Sequence, residues 1–262
     1  DGAKLVTMSL FPEQVWTIPF EKHDELCCMY PSIKPLPPVL LRIFREREEK
    51  EELKIPDDLL AMPSYKKLYP YQKRGVEFIV KNNGRGIIGD EMGLGKTYQA
   101  SVLIKYYDVK TLVVCPASLR TNWVSEYKSI CGEELQEMKT GKDSFGAKTV
   151  LSYGLLVSKN VMARVPDFEM LVIDESHYIK SQHSKRTKLI TKLAKKAKYV
   201  VLLSGTPSSR SQDLFSQLRV VSPDVFKCFF PWQGRFKPGV FYFASRYCGP
   251  EKVFVGRGKY NF

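Results

Sequence analysis

Gly86-Ile87-Ile88-Gly89 runs straight into Asp90-Glu91-Met92-Gly93-Leu94-Gly95-Lys96-Thr97, and a helical pattern over residues 98–107 follows. A short apolar run, a glycine-rich loop and a helical stretch in this order read as strand, loop and helix. In such a loop the glycines let backbone N–H groups turn inward as an anion nest, and the helix N-terminus adds the positive end of its dipole. Lys96 then reaches the outer phosphates of a nucleotide, and the Thr97 hydroxyl is a ligand for Mg2+. The ligand implied is a nucleoside triphosphate with its magnesium, cradled by Asp90, Glu91, Met92, Gly93, Leu94, Gly95, Lys96 and Thr97. A strict phosphate loop carries Gly where Asp90 stands.

Outward from this loop the pattern repeats. Apolar runs rich in Val, Ile and Leu stand at residues 86–89, 111–115, 149–153, 170–174 and 199–204, with helical patterns such as 119–130 and 184–197 between them. This alternation predicts an α/β fold of three layers, a mostly parallel central sheet covered by helices on both faces. Ligands of such sheets gather beyond the carboxyl ends of the strands. Leu171-Val172-Ile173 delivers Asp174-Glu175-Ser176-His177 to that edge. Asp174 is suited to hold Mg2+ through its water shell, and Glu175 to orient and deprotonate a water attacking a phosphoryl group. With Lys96 they form the candidate catalytic set. An Asp-Glu pair on its own would serve as a helix cap and acidic first turn. Ser204-Gly205-Thr206-Pro207 ends the run 200–203 on the same edge. Ser204, Gly205 and Thr206 are placed to sense the γ-phosphate region, and with His177 they are the candidate coupling residues. The plainer readings are a simple turn for 204–207 and a packed or surface side chain for His177.

The chain has 262 residues, 44% of them hydrophobic, which is ordinary for a folded protein and excludes a disordered or collagen-like one. Its net charge is +13. Residues 1–63 hold 8 basic and 12 acidic side chains, so the positive field belongs to the remainder and suits a polyanion-binding surface. Pro35, Pro37 and Pro38 start an amphipathic helix with apolar Leu40, Leu41, Ile43 and Phe44, followed by the charged run 45–52. Ile55, Pro56, Asp57, Asp58, Met62 and Pro63 punctuate the chain and place a boundary near residue 63. The six cysteines form no Cys-x-x-Cys pair, and with three histidines no zinc set assembles, so reduced thiols of a nuclear or cytosolic protein are expected. No apolar run reaches the ~18 residues of a membrane span and no signal pattern opens the chain. Its start at Asp1 and its stop at Phe262, in a basic aromatic stretch, point to a piece of a longer polypeptide.

The three motifs together resemble motifs I, II and III of superfamily-two helicases, specifically the SWI/SNF-type ATPases of chromatin remodelling and fork repair. The string from Asp90 to Thr97 is distinctive of that group, where Asp in place of Gly is usual. Leu68-Tyr69-Pro70-Tyr71-Gln72-Lys73-Arg74-Gly75-Val76 resembles the upstream Q motif, which implies that Gln72 reads adenine with its amide. Val114-Cys115-Pro116-Ala117-Ser118-Leu119, with Asn122 and Trp123, resembles motif Ia, and Val150-Leu151-Ser152-Tyr153 resembles motif Ib. The resemblance implies DNA contacts at Pro116, Ser118, Ser152 and Tyr153. Asp-Glu-Ser-His with Arg246-Tyr247-Cys248 is most similar to annealing helicases of the HepA-related (HARP) branch, and residues 15–20 and 22–26 resemble the end of its HARP module. Tyr98 stands where the family usually has Ile.

The resemblance implies a RecA-like first lobe over residues 64–225. An α/β appendage, partly HARP-like, precedes it over 1–63, and the basic aromatic segment 226–262 leads to a second lobe. Since that lobe supplies the arginine finger, the chain alone is expected to bind ATP and Mg2+ yet hydrolyse ATP poorly. The expected partners are duplex, fork or single-strand-junction DNA and the second lobe, with no membrane, for a monomer in the nucleus, or in the nucleoid or cytoplasm of a prokaryote. An RNA helicase lobe and a non-catalytic DNA-binding scaffold are the rival readings. Residues 180–198 carry eight basic and no acidic side chains beside a helical apolar face, either a solvated stripe or a phosphate contact. Residues 227–262 interleave eleven aromatic with seven basic side chains, which either stack on bases or pack on the rest of a longer protein.

Overall fold

The computed structural model describes residues 5–11, 14–19, 28, 53–182, 184–205, 211–224 and 226, and the strand segments 229–232, 235–238, 253–255 and 259–261. The chain forms two compact units, Asp1–Lys54 and Ile55–Phe262. In the first, β1 (Leu5–Phe11) and β2 (Gln14–Pro19) pair as an antiparallel hairpin. The proline-started helix expected within residues 35–52 lies outside the described residues. The second unit begins at Ile55, ahead of the expected boundary near residue 63. Helices α1 (Asp57–Ala61) and α2 (Pro63–Lys66) belong to it, because Leu59 and Tyr65 are buried in its core.

From there helix and strand alternate as the apolar pattern requires. The order is α3 (Pro70–Lys81), β3 (Arg85–Ile88), α4 (Lys96–Tyr107), β4 (Thr111–Cys115), α5 (Arg120–Cys131), β5 (Gln136–Glu137) and β6 (Lys148–Ser152). Then come α6 (Tyr153–Leu156), α7 (Lys159–Met162), β7 (Met170–Ile173), α8 (Lys185–Lys196), β8 (Tyr199–Leu203) and α9 (Ser211–Val221). Short strand pairs β9 (Phe229–Trp232) with β10 (Arg235–Pro238), and β11 (Val253–Val255) with β12 (Lys259–Asn261), are antiparallel.

The main sheet has the order β3-β8-β7-β4-β6-β5, and every pairing in it is parallel. Side chains alternate strictly across it, as the period of two demands. Val113, Cys115, Val172, Val201 and Leu203 pack on one face with Val76 and Ile79 of α3, Leu103 of α4 and Trp123 of α5. Leu112, Val114, Leu171, Ile173, Val200 and Leu202 pack on the other with Leu156, Ile190, Ala194 and Val220. These are the three layers expected. β5 escapes the sequence pattern because two polar residues carry no periodicity.

Sheet order positions the site. β8 lies between β3 and β7, so the loops leaving β3 and β7 emerge about 10 Å apart with the β8 loop between them. Ser204 N–H donates to the Ile88 carbonyl, and Asp174 N–H to that of Val114, carrying the parallel register to the edge where the strands end.

Candidate active site

The phosphate loop leaves β3 at Gly89 and enters α4 at Lys96. Gly93 and Gly95 have φ of 84° and 72°, the left-handed region that glycine adopts without penalty. At Gly95 a side chain is doubly excluded, since a Cβ would lie 2.4 Å from Gln72 Nε2. At Gly89 and Gly93 a Cβ would meet nothing within 4 Å. Lys96 is buried, and its ammonium donates to the carbonyls of Asp90 (2.8 Å) and Glu91 (2.9 Å), curling the loop around the charge.

Asp90 has a different task from the glycine it replaces. Gln99 on α4 donates to its carboxylate at 2.6 Å, tying the start of the loop to the helix that follows. Gln99 Oε1 is buried without a hydrogen-bond partner against Gly75, where a Cβ would come within 2.0 Å of it. Gln72 is buried with both ends of its amide engaged. Its oxygen accepts from Tyr69 N–H (3.0 Å), closing the capping box of α3, and its nitrogen donates to the Leu94 carbonyl (3.1 Å). The Q-motif helix is thereby fastened to the phosphate loop. Met92 and Leu94 at the loop tip are exposed, and so is Tyr98 on α4.

Across the strand ends, Asp174 is 6% exposed, and each of its carboxylate oxygens accepts a hydrogen bond. Trp123 Nε1 on α5 donates to Oδ2 and the Glu175 N–H to Oδ1, both at 2.8 Å, while Tyr153 hydroxyl donates to the Asp174 carbonyl at 2.6 Å. Burial raises the Asp174 pKa above the ordinary carboxylate value; the Trp123 and Glu175 N–H groups pull it down, the Glu175 charge raises it and Lys96 lowers it. Glu175 sits at φ 50°, a left-handed conformation unusual for a residue with a side chain. His177 Nδ1 lies 3.1 Å from Glu175 Oε2 without the alignment of a hydrogen bond. The β8 loop closes the group: a Cβ on Gly205 would stand 2.8 Å from Met92 Cγ, 3.1 Å from Met92 N and 3.5 Å from Lys96 Nζ. Ser204 is buried beside it, and Thr206 lies outside the described residues.

Two members of the site are not legible as such in the sequence. Trp123 reads there only as part of the motif Ia resemblance, yet its indole orients Asp174. One turn further along α5, Glu126 is half-buried; burial raises the pKa of its carboxyl, the Thr97 hydroxyl lowers it and the Asp174 charge raises it. Thr97 and Asp174 offer a hydroxyl and a carboxylate, oxygen donors of the kind that Mg2+ takes. That ion keeps waters and binds through one or two protein groups plus phosphates.

The expected DNA edge divides. Pro116 is half-buried and Ser118 exposed, in the turn between β4 and α5, where a backbone can reach them. Ser152 and Tyr153 face inward instead. Ser152 is buried and caps α6 through the Leu155 N–H; Tyr153 is buried, bonded to the Asp174 carbonyl and stacked on Tyr178 at 5.2 Å. Both side chains are engaged within the fold, Tyr153 at the Asp174 carbonyl and Ser152 at the Leu155 N–H. Among the described residues no helix is long and apolar enough to cross a membrane.

The SNF2-related domain matches residues 71–240. The chain is similar to the "SWI/SNF-related matrix-associated actin-dependent regulator of chromatin subfamily A-like protein 1" of Xenopus tropicalis, 36% identical over 85% of this chain and 24% of that protein. Its homolog in Caenorhabditis elegans is 32% identical over 83% and 33%. The human "DNA annealing helicase and endonuclease ZRANB3" is 34% identical over 78% and 19%. Among solved structures, the "Sulfolobus solfataricus SWI2/SNF2 ATPase core in complex with dsDNA" superposes with a TM-score of 0.57 and 26% identity, over 70% of this chain and 39% of that one. The chain spans a third or less of these curated relatives. With its loop, acidic pair and sheet order in place, and the domain matched over more than half its length, the chain belongs to the SNF2-related family of helicase-like ATPases.

Proposed function

We propose that the chain is the nucleotide-binding first lobe of a DNA-dependent ATPase that tracks along DNA, of the annealing-helicase or fork-remodelling kind. The observation that carries this reading is the sheet order: the loop before Lys96, Gly205 and Asp174 follow three adjacent parallel strands, and a Cβ on Gly205 would stand 3.5 Å from Lys96 Nζ. The N–H groups around Gly93 and Gly95 and the Lys96 ammonium hold the β- and γ-phosphates of ATP. Thr97 and Asp174 hold magnesium, which when bound neutralises charge on the transferring phosphoryl group. Glu175, set apart by its left-handed backbone, orients the attacking water and accepts its proton. Gln72 exchanges its bond to the Leu94 carbonyl for an edge of adenine.

Hydrolysis closes a second lobe onto this one, and the resulting motion ratchets the protein along DNA held at the turn carrying Pro116 and Ser118. His177 and the 204–206 loop report the state of the γ-phosphate to that movement. An arginine finger from the second lobe contributes on the order of 10³ to 10⁵ in rate, so the chain alone hydrolyses ATP slowly. The protein acts as a monomer, in the nucleus or, in a prokaryote, the nucleoid or cytoplasm. The test is the ATPase rate of a longer form carrying both lobes with single-stranded, duplex and forked DNA and with RNA. Stimulation by DNA and not RNA is expected; stimulation by RNA alone, or nucleotide binding indifferent to Lys96→Ala, contradicts the reading.

A further inference from the structure

Helices α8 and α9 enclose a groove of about 210 Å³ on the opposite sheet face from α4 and α5. Lys188, Lys192 and Lys195 of α8 line one wall and Arg219 of α9 the other, over a floor that includes the buried hydroxyls of Thr191 and Ser216. Among the described residues no carboxylate lines it. Elsewhere on the same helix the lysines behave differently: Lys196 lies outside the groove and pairs with Asp167 at 2.7 Å. Positions 188, 192 and 195 fall on one helical face, where like charges repel and weaken the helix. The walls are held firmly. Ser216 donates to the Lys180 carbonyl, Thr187 to that of Ile179, and the Arg85 guanidinium donates to carbonyls at the ends of both helices.

We infer that this groove binds the phosphate backbone of a DNA segment, as a second contact separate from the turn at Pro116 and Ser118. The inference rests on the DNA-tracking reading above and adds the site. Lysines are point charges that grip phosphates without reading bases, and the hydroxyls of Thr187, Thr191 and Ser216 are committed to the groove's own frame. Lys188 to Lys195 spans about 10 Å of helix axis, close to the axial rise of about three phosphates on one strand. Fixed on two braced helices, the cations are arranged before the DNA arrives.

The experiment compares the wild-type chain with K188Q/K192Q/K195Q, with Arg219→Gln, and with K66Q/K67Q/K110Q as a charge-matched control at exposed sites outside the groove. Duplex binding is measured across salt concentrations. Each phosphate contact contributes about 0.9 to the slope of log K against log salt. The groove triple variant is expected to lose about 2 to 3 from that slope and Arg219→Gln about 1, while the control keeps it. The triple variant is also expected to bind a fluorescent ATP analogue normally and to melt no lower than wild type, since mutual repulsion on α8 is relieved. Equal slopes for groove and control variants overturn the groove and leave the DNA-tracking reading standing; absence of duplex binding by the wild type overturns both. Protection of Lys188 and Lys192 from acetylation by duplex supports the site, and protection by an acidic peptide alone overturns it.

Discussion

Asp174 carries the most strained bargain of any side chain in the site: it must be ionised to hold a cation, yet it is buried. Its raised pKa means that the folded chain holds the Asp174 proton more tightly than the unfolded chain does. This group's contribution to stability is therefore largest below the ordinary carboxylate range and falls as pH rises through the raised value. Magnesium competes with that proton. Magnesium-dependent nucleotide binding should fail on acidification at a pH above the ordinary carboxylate range, and Trp123→Phe, which removes a donor to Oδ2, should move that limb higher. Binding of a fluorescent ATP analogue against pH checks it, with magnesium-free binding as the reference; an unmoved limb contradicts the role of the indole. Gly205 offers a second test. A methyl group there meets Met92, so Gly205→Ala should weaken nucleotide binding about tenfold by displacing the loop rather than by removing any ligand.

At the scale of elements, the strands were legible because each is a short run of apolar residues broken by a polar residue, a glycine or a proline. Predicted and observed strands differ by a residue at most at either end for 86–89, 111–115, 149–153, 170–174 and 199–204. What the sequence hides are the side chains that join one element to another. Arg85 opens β3, and nothing in its neighbours marks it. Its guanidinium nevertheless donates to carbonyls of Ala194, Ala197 and Lys198 at the end of α8, and of Val220 and Val221 at the end of α9. It thereby satisfies orphan acceptors of two helices at once. Arg85→Met should cost about 3 kcal/mol in denaturant unfolding, since several carbonyls lose a charged donor. A loss near zero would mean water replaces it freely. Tyr153 is hidden for the same reason: motif Ib gives its place in the chain, and only packing shows that its hydroxyl points to the Asp174 carbonyl.

For the whole molecule, a parallel sheet converts a linear order of motifs into a single edge. Strands β3, β8 and β7 stand side by side although the chain visits them first, last and between, so the loops carrying Lys96, Gly205 and Asp174 become neighbours only after folding. α5 extends this edge: the turn that precedes it holds the exposed Ser118, while Trp123 donates to Asp174. The most direct measurement is magnesium-dependent binding of a fluorescent ATP analogue to the wild-type chain, Lys96→Ala, Asp174→Asn and the double variant. Asp174→Asn should abolish the gain in affinity from magnesium and leave magnesium-free binding intact. Lys96→Ala should weaken both by at least about tenfold, and the double variant should fall short of the sum. Strictly additive losses, or a magnesium response untouched by Asp174→Asn, would place the two residues in separate sites and contradict the shared nucleotide pocket.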